Sequence, residues 1–258
     1  MEERLLQGNR ILITGVSGLI GGILHQYLSD VYSIRGLDRT SMSVSDVVVA
    51  DTTDLESIRT AFQDVHTVID LAAVPDADTP GDIILSNNIP STYNILEAAR
   101  LGGVNRVVFA SSNHVTGMYE KDHPYSAIVA GEYQGLDPTS ISRISTSMPI
   151  RPDGAYAIGK AFGEAAGRYY YDEYGLSVLC LRIGTLNRES RPLMPRHFAT
   201  LLTHQDLVRL VCCCIEASYD VGFDIFYGVS SNTWRFWDID NALKTIGFRP
   251  EDNAEAWR

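Results

Sequence analysis

The chain has 258 residues, 45% of them apolar, and a formal net charge of −11 from 21 basic and 32 acidic side chains. That is enough for one large α/β domain or two small ones, and the acidity opposes nucleic-acid backbones and anionic membranes. No run approaches the roughly 18–20 apolar residues of a membrane span, and the charged opening MEERLLQGNR lacks the apolar stretch of a signal peptide, so a cytoplasmic protein is expected.

Taken in chain order, RILITG (10–15) reads as a short buried strand and LIGGILHQYLS (19–29) has helical spacing. YSIRGLDR (32–39) is a second strand and DVVVAD (46–51) a third, followed by a helix over 53–63 with an Asp or Thr cap. TVIDLAA (67–73) is a fourth strand, 82–101 a long amphipathic helix ending at Gly102-Gly103, and NRVVFASS (105–112) a fifth strand. A second long helix spans 155–175, and LSVLCLRIG (176–184) is a sixth strand. HQDLVRLVCCCIEAS (204–218) is a helix, FDIFYGVS (223–230) a strand, and the tail a helix plus an extended end. Cys180 reads as a buried strand residue. Cys212, Cys213 and Cys214 are consecutive, so on a helix they point about 100° apart and cannot converge on one metal. They read as packed small hydrophobes, and no metal site is expected.

Apolar strands alternating with helices imply an α/β fold with a parallel sheet covered on both faces. Two regions break the alternation. Residues 113–154 contain no convincing strand or long helix, and residues 185–200 are rich in Arg and Pro. With no clear linker, the reading is a single domain over 1–258. It has a dinucleotide-binding core at about 9–184 and a small non-contiguous substrate cap built from about 113–154 and 185–258.

The turn after the first strand reads Thr14-Gly15-Val16-Ser17-Gly18-Leu19-Ile20-Gly21, a TGxxGxxG pattern between a strand and a helix. Gly15 allows the tight turn, Gly18 lets backbone approach a pyrophosphate, and Gly21 lets the helix pack close. The helix N-terminus then offers N–H groups to phosphate. Asp38 ends the second strand, 17 residues after Gly21, where a carboxylate binds the adenosine ribose hydroxyls. It favours NAD over NADP, although the adjacent Arg39 is able to pair with a 2′-phosphate. Asp51 and Thr52 stand either at the adenine edge or as a helix cap.

Tyr156 and Lys160 are four residues apart on one helix face. A phenol with a pKa near 10 is a poor base at neutral pH, and an ammonium beside it stabilises the phenolate. Ser112 ends the fifth strand, at the sheet edge where a doubly wound fold places ligands.

These four features, in order and each on its expected element, resemble the extended short-chain dehydrogenase/reductase family, with a Rossmann-type doubly wound sheet. Leu71-Ala72-Ala73 after the fourth strand and NIPSTYNILEAA (88–99), with Ser91 where the family has Gly, extend the likeness over nearly the whole chain. The resemblance implies Ser112 as the catalytic hydroxyl, Tyr156 as base, and Lys160 as its tuner and a ligand of the nicotinamide ribose. Asn88 joins the cofactor side or caps its helix, and Ile183 also faces the cofactor. FASSNHVTGMY (109–119), RPDGAYAIGKAFGE (151–164), LRIGT (181–185) and the ending FRPEDNAEAWR resemble the uronate dehydrogenases and the related haloarchaeal NAD-dependent glucose-6-phosphate dehydrogenases. Both oxidise the anomeric carbon of a cyclic sugar to a lactone.

By that likeness Asn113, His114, Arg182 and Thr185 meet the substrate, with Pro75 where uronate enzymes carry a serine. Arg182 alternatively forms a structural salt bridge, and His114 a scaffold contact. Arg143 and Arg151, and the cluster of Arg188, Arg191, Arg196 and His197, are either extra basic groups that serve a phosphate or solvated loop residues, so a uronate and a sugar phosphate both stay open. A nucleotide-sugar epimerase or dehydratase and a non-catalytic dinucleotide sensor are the competing readings. The likeness also implies a homodimer or higher homo-oligomer, with no nucleic-acid or membrane partner.

Overall fold

Strands that are apolar along their whole length need cover on both faces, and alternate residues here supply two separate cores. The computed structural model describes residues 10–41 and 45–258; most of the charged N-terminal opening lies outside them. The strands are β1 (Arg10–Thr14), β2 (Ser33–Asp38), β3 (Val47–Val49), β4 (Thr67–Asp70), β5 (Arg106–Ser112), β6 (Ser177–Ile183) and β7 (Phe223–Gly228). They form one parallel sheet in the order β3-β2-β1-β4-β5-β6-β7. The direction of growth reverses between β1 and β4, and a doubly wound sheet opens its ligand crevice at such a point.

The helices are α1 (Leu19–Leu28), α2 (Leu55–Ile58), α3 (Gly81–Ile83), α4 (Ile89–Leu101), α5 (Tyr125–Ala130), α6 (Ala155–Tyr174), α7 (His197–Thr200), α8 (His204–Glu216) and α9 (Asp240–Ile246). On one face Ile11, Ile13, Ile69, Val108 and Leu181 pack against α1 and α8. On the other, Leu12, Val68, Val107, Phe109 and Cys180 pack against α4 and α6. Cys214 is buried in the first core, and Cys212 and Cys213 pack partly buried against it. A third core gathers Tyr119, Ile128, Ile144, Tyr227, Phe236 and Trp237 beyond the sheet's end.

Several expectations are corrected. The helix over 53–63 is one α-turn followed by a 3-10 turn, Arg59–Phe62. The long helix over 82–101 contains a π segment, Ile84–Asn88, just before Pro90. Proline has no N–H to give and its ring crowds the carbonyl four residues back, which a widened turn relieves. The segment 113–154 is more ordered than its pattern suggests. Ser112 caps a kinked 3-10 stretch, Asn113–Lys121, and α5 follows it. Its apolar side chains fill the third core, which no period within the segment reveals.

Candidate active site

The glycine turn between β1 and α1 forms one wall of a cleft of about 670 Å³ along the C-terminal strand ends. Gly15 has φ +64°, and a Cβ on Gly21 would lie 2.4 Å from the Gly15 carbonyl oxygen. Side chains at these positions would push α1 off the turn. No side chain caps the start of α1, so its first N–H groups face the cleft and suit a phosphate. The cradle therefore fits a dinucleotide. At the end of β2, Asp38 accepts hydrogen bonds from the Ser17 N–H (2.9 Å) and hydroxyl (2.7 Å), tying the turn to the strand. Burial would raise its carboxyl, but the bonds from Ser17 and Thr40 outweigh that and hold it below the usual range.

Gly15, Ser17, Gly18, Leu19, Ile20, Gly21, Asp38, Arg39, Thr52, Leu71, Ala72, Ala73 and Ile183 all line this cleft. Two expected cofactor residues do not. Asp51 turns to the Thr53 N–H and hydroxyl (2.9 and 2.8 Å), as a turn cap. Asn88 is buried and bonds both polar groups of Val74 (3.0 and 3.1 Å), pinning the loop after β4; its neighbour Asn87 lines the cleft instead. Ser91 donates to the Thr52 hydroxyl at 2.7 Å.

At the other end of the cleft stand Ser112, Asn113, His114, Tyr156, Lys160, Thr185 and Pro75. The Ser112 hydroxyl donates to Asn113 Oδ1 at 3.3 Å and accepts from the His114 N–H at 3.2 Å. His114 pairs with Asp153 through Nδ1 at 2.7 Å and packs its ring edge-on to Tyr156. Lys160 Nζ lies 5.7 Å from the Tyr156 ring centroid. Burial pushes the Tyr156 phenol up to about 12, with the nearby Ser112 hydroxyl pulling the other way. The expected lowering by Lys160 does not appear in the protein alone, where desolvation dominates and only Ser112 opposes it.

Arg182 requires the clearest correction. It is 1% exposed and forks onto Glu164 with two bonds of 2.8 Å, while Ser111 donates to the same carboxylate at 2.6 Å. Burial opposes its charge, but Glu164 more than offsets that and raises its pKa. Arg182 supports the floor of the site and does not reach the cleft. Of the other basic residues, Arg196 and His197 line it, whereas Arg188 and Arg191 are exposed outside it. Arg196 forks onto Glu120 (2.7 and 2.7 Å) and donates to the Thr185 hydroxyl at 2.9 Å. Burial, then the Arg196 charge, lowers the His197 pKa, so the ring is neutral at pH 7. Arg151 pairs with Asp122 and stacks over Tyr119, and Arg143 donates to the Pro138 carbonyl at 3.3 Å.

Sequence reasoning missed Glu164, Glu120, Asp153 and Asp70. For Asp70 a signal existed: a lone acid inside the apolar run TVIDLAA. The other three become partners only through tertiary contacts. Among the described residues no group of three or more His, Cys, Asp or Glu is placed to hold a metal, and no helix is long and apolar enough to cross a membrane.

Residues 11–209 match the NAD dependent epimerase/dehydratase family. The chain is 36% identical to the NAD-dependent glucose-6-phosphate dehydrogenase of Haloferax volcanii, over 95% of this chain and 94% of that one. It is 32% identical to the uronate dehydrogenase of Pseudomonas syringae pv. tomato, over 97% and 84%. The crystal structure of uronate dehydrogenase from Agrobacterium tumefaciens superposes with a TM-score of 0.82 at 29% identity, covering 97% of this chain and 87% of that one.

Proposed function

The chain belongs to the NAD dependent epimerase/dehydratase family, and on that premise we propose that it is an NAD-dependent sugar dehydrogenase oxidising the anomeric C1 hydroxyl to a lactone. The observation that carries this reading is the meeting of Ser112, Tyr156 and Lys160 at one end of the dinucleotide cleft. The cofactor is NAD; Asp38 would hold its adenosine ribose, the glycine turn its pyrophosphate and Lys160 its nicotinamide ribose. NAD, when bound, would supply the hydride acceptor for C1.

The rest of the chemistry belongs to the protein. Tyr156, as phenolate, takes the proton from the sugar O1 hydroxyl. The Ser112 hydroxyl holds O1 beside it. Lys160 supplies the positive charge that makes the phenolate accessible in a dry site. Asn113, whose buried Nδ2 has no partner among the described residues, offers a donor to the sugar. Arg196, which lines the cleft while held by Glu120 and Thr185, would meet a carboxylate or phosphate of an anionic sugar. A uronate or a sugar phosphate is the substrate class.

An epimerase or dehydratase would use the same tyrosine and lysine. The likeness to named sugar dehydrogenases along most of their own lengths favours net oxidation. Retention of both residues argues against a sensor. Exposed apolar side chains on α4 and α6 (Tyr93, Leu101, Ile158 and Tyr169) suit a homodimer built on those helices. Four thiols outside any disulfide suit a reducing cytoplasm.

Tyr156→Phe tests the assignment. It should lose turnover by about 100-fold or more while binding NAD as before, in line with removal of a general base. Unchanged turnover would move the base elsewhere.

A further inference from the structure

Asp70 closes β4, and its register partner on β5 is Phe109. Partners in register send their side chains to the same face of a sheet, here the face that holds Val68 and Val107 under α6. The helix comes close because residue 163 is glycine; a Cβ there would lie 2.2 Å from the Phe109 ring. One turn earlier, Lys160 sets its Nζ 5.0 Å over that same ring. Asp70 and Lys160 are 2% and 5% exposed, so an acid and a base share one dry space between sheet and helix.

The carboxylate is fixed on one side. Its Oδ1 accepts from the Thr14 hydroxyl at 2.8 Å and from the Ala72 N–H at 3.2 Å. The remaining groups facing Lys160 are accounted for. Tyr156 is a neutral phenol, and Glu164, on the next turn of α6, is engaged by Arg182 and Ser111. His114, across the tyrosine, is paired with Asp153, and Asn88 of the π segment is uncharged.

We infer that Asp70 is a positioning residue of the hydride-transfer site: its carboxylate, anchored in the sheet, keeps the Lys160 ammonium charged and seated beneath Tyr156. The inference rests on the reading of Tyr156 as base and Lys160 as its tuner. The two groups stop short of a direct ion pair, so the attraction acts across low-dielectric space, where charges interact strongly. Burial raises the Asp70 carboxyl to about 6 against the pull of Lys160, and lowers Lys160 to about 8 against the pull of Asp70. Without Asp70, the ammonium loses its proton at lower pH and the tyrosine loses its support.

Asp70→Asn keeps the shape and the Oδ1 acceptor and removes only the charge. The chain has three lysines, and Lys121 and Lys244 are exposed. In protein isotope-labelled at lysine Cε, the NMR signal that titrates away from the ordinary lysine range is therefore Lys160. In Asp70→Asn without cofactor its midpoint should fall by about one pH unit or more, and Asp70→Glu should restore part of that. The pH of half-maximal kcat should rise, with the KM for NAD changed less than about twofold. An unmoved Lys160 titration overturns the inference, and so does an equal loss of kcat at every pH. If Asp70→Asn fails to fold, the unaltered protein decides. Its Lys160 signal should show a second inflection near pH 6 as Asp70 gains a proton, and a flat signal there overturns the inference. Should Tyr156→Phe remain active, the base assignment fails while the Lys160 titration still reports on Asp70.

Discussion

Tyr156, the proposed base, is held in a place that resists its ionisation. Burial pushes its phenol up to about 12, so the working form grows as pH rises. We therefore expect kcat/KM to climb through the alkaline range, measured as initial rates at fixed ionic strength; a maximum on the acid side of neutrality would contradict the assignment. Asp38 carries a second expectation. Its ionised carboxylate, held by Ser17 and Thr40, repels a 2′-phosphate, so kcat/KM with NAD should exceed that with NADP by about tenfold, or about 1.4 kcal/mol. Equal use of both cofactors would mean that Arg39 governs the site. The glycine turn, Asp38, Ser112, Tyr156 and Lys160 were legible in the sequence because each is fixed by a short spacing to one strand end or helix face. Asp51 and Asn88 were not, because hydrogen bonds to Thr53 and to the Val74 backbone decide which way such a side chain faces.

At the scale of elements, α6 joins the chemistry to the scaffold. Tyr156, Lys160 and Glu164 recur at four-residue spacing along the face turned to the sheet. Tyr156 and Lys160 line the cleft, and Glu164 binds Arg182 of β6 and Ser111 of β5. Removing one partner of a buried ion pair strands the other charge in a dry interior. Arg182→Met should therefore lower stability by about 3–5 kcal/mol in denaturant unfolding, while the sugar KM of the folded fraction stays near that of the parent. Unchanged stability with a large rise in KM would restore Arg182 to the substrate. Strand parity held a clue: Arg182 has the parity of Cys180, whose face packs on α6. The parallel sheet and its cover of helices on both faces followed from the alternation of apolar runs. The π segment and the fold of 113–154 did not, because they answer to Pro90 and to a core assembled from distant segments.

At the scale of the whole molecule, a protein of net charge −11 places a cleft with Lys160, Arg39 and Arg196 along the ends of its strands. The surrounding field opposes anions, so binding of the proposed anionic sugar would rest on short-range contacts in the cleft, Arg196 among them. One end of the cleft is lined by Asn113 and His114 of the 3-10 stretch and His197 of α7, the other by the turns that follow β1, β2 and β4. This division explains why the cofactor was easier to read than the sugar: the glycine turn is one continuous stretch, whereas the proposed sugar pocket gathers side chains from separated ones. The most direct test is to incubate the purified protein with excess NAD and a panel of uronates, sugar phosphates and neutral aldoses, following reduced cofactor and product. Many turnovers of NAD reduction with release of a lactone or its aldonic acid from a uronate or a sugar phosphate is the predicted result; no net reduction with any sugar, with NAD remaining bound through purification, would contradict it.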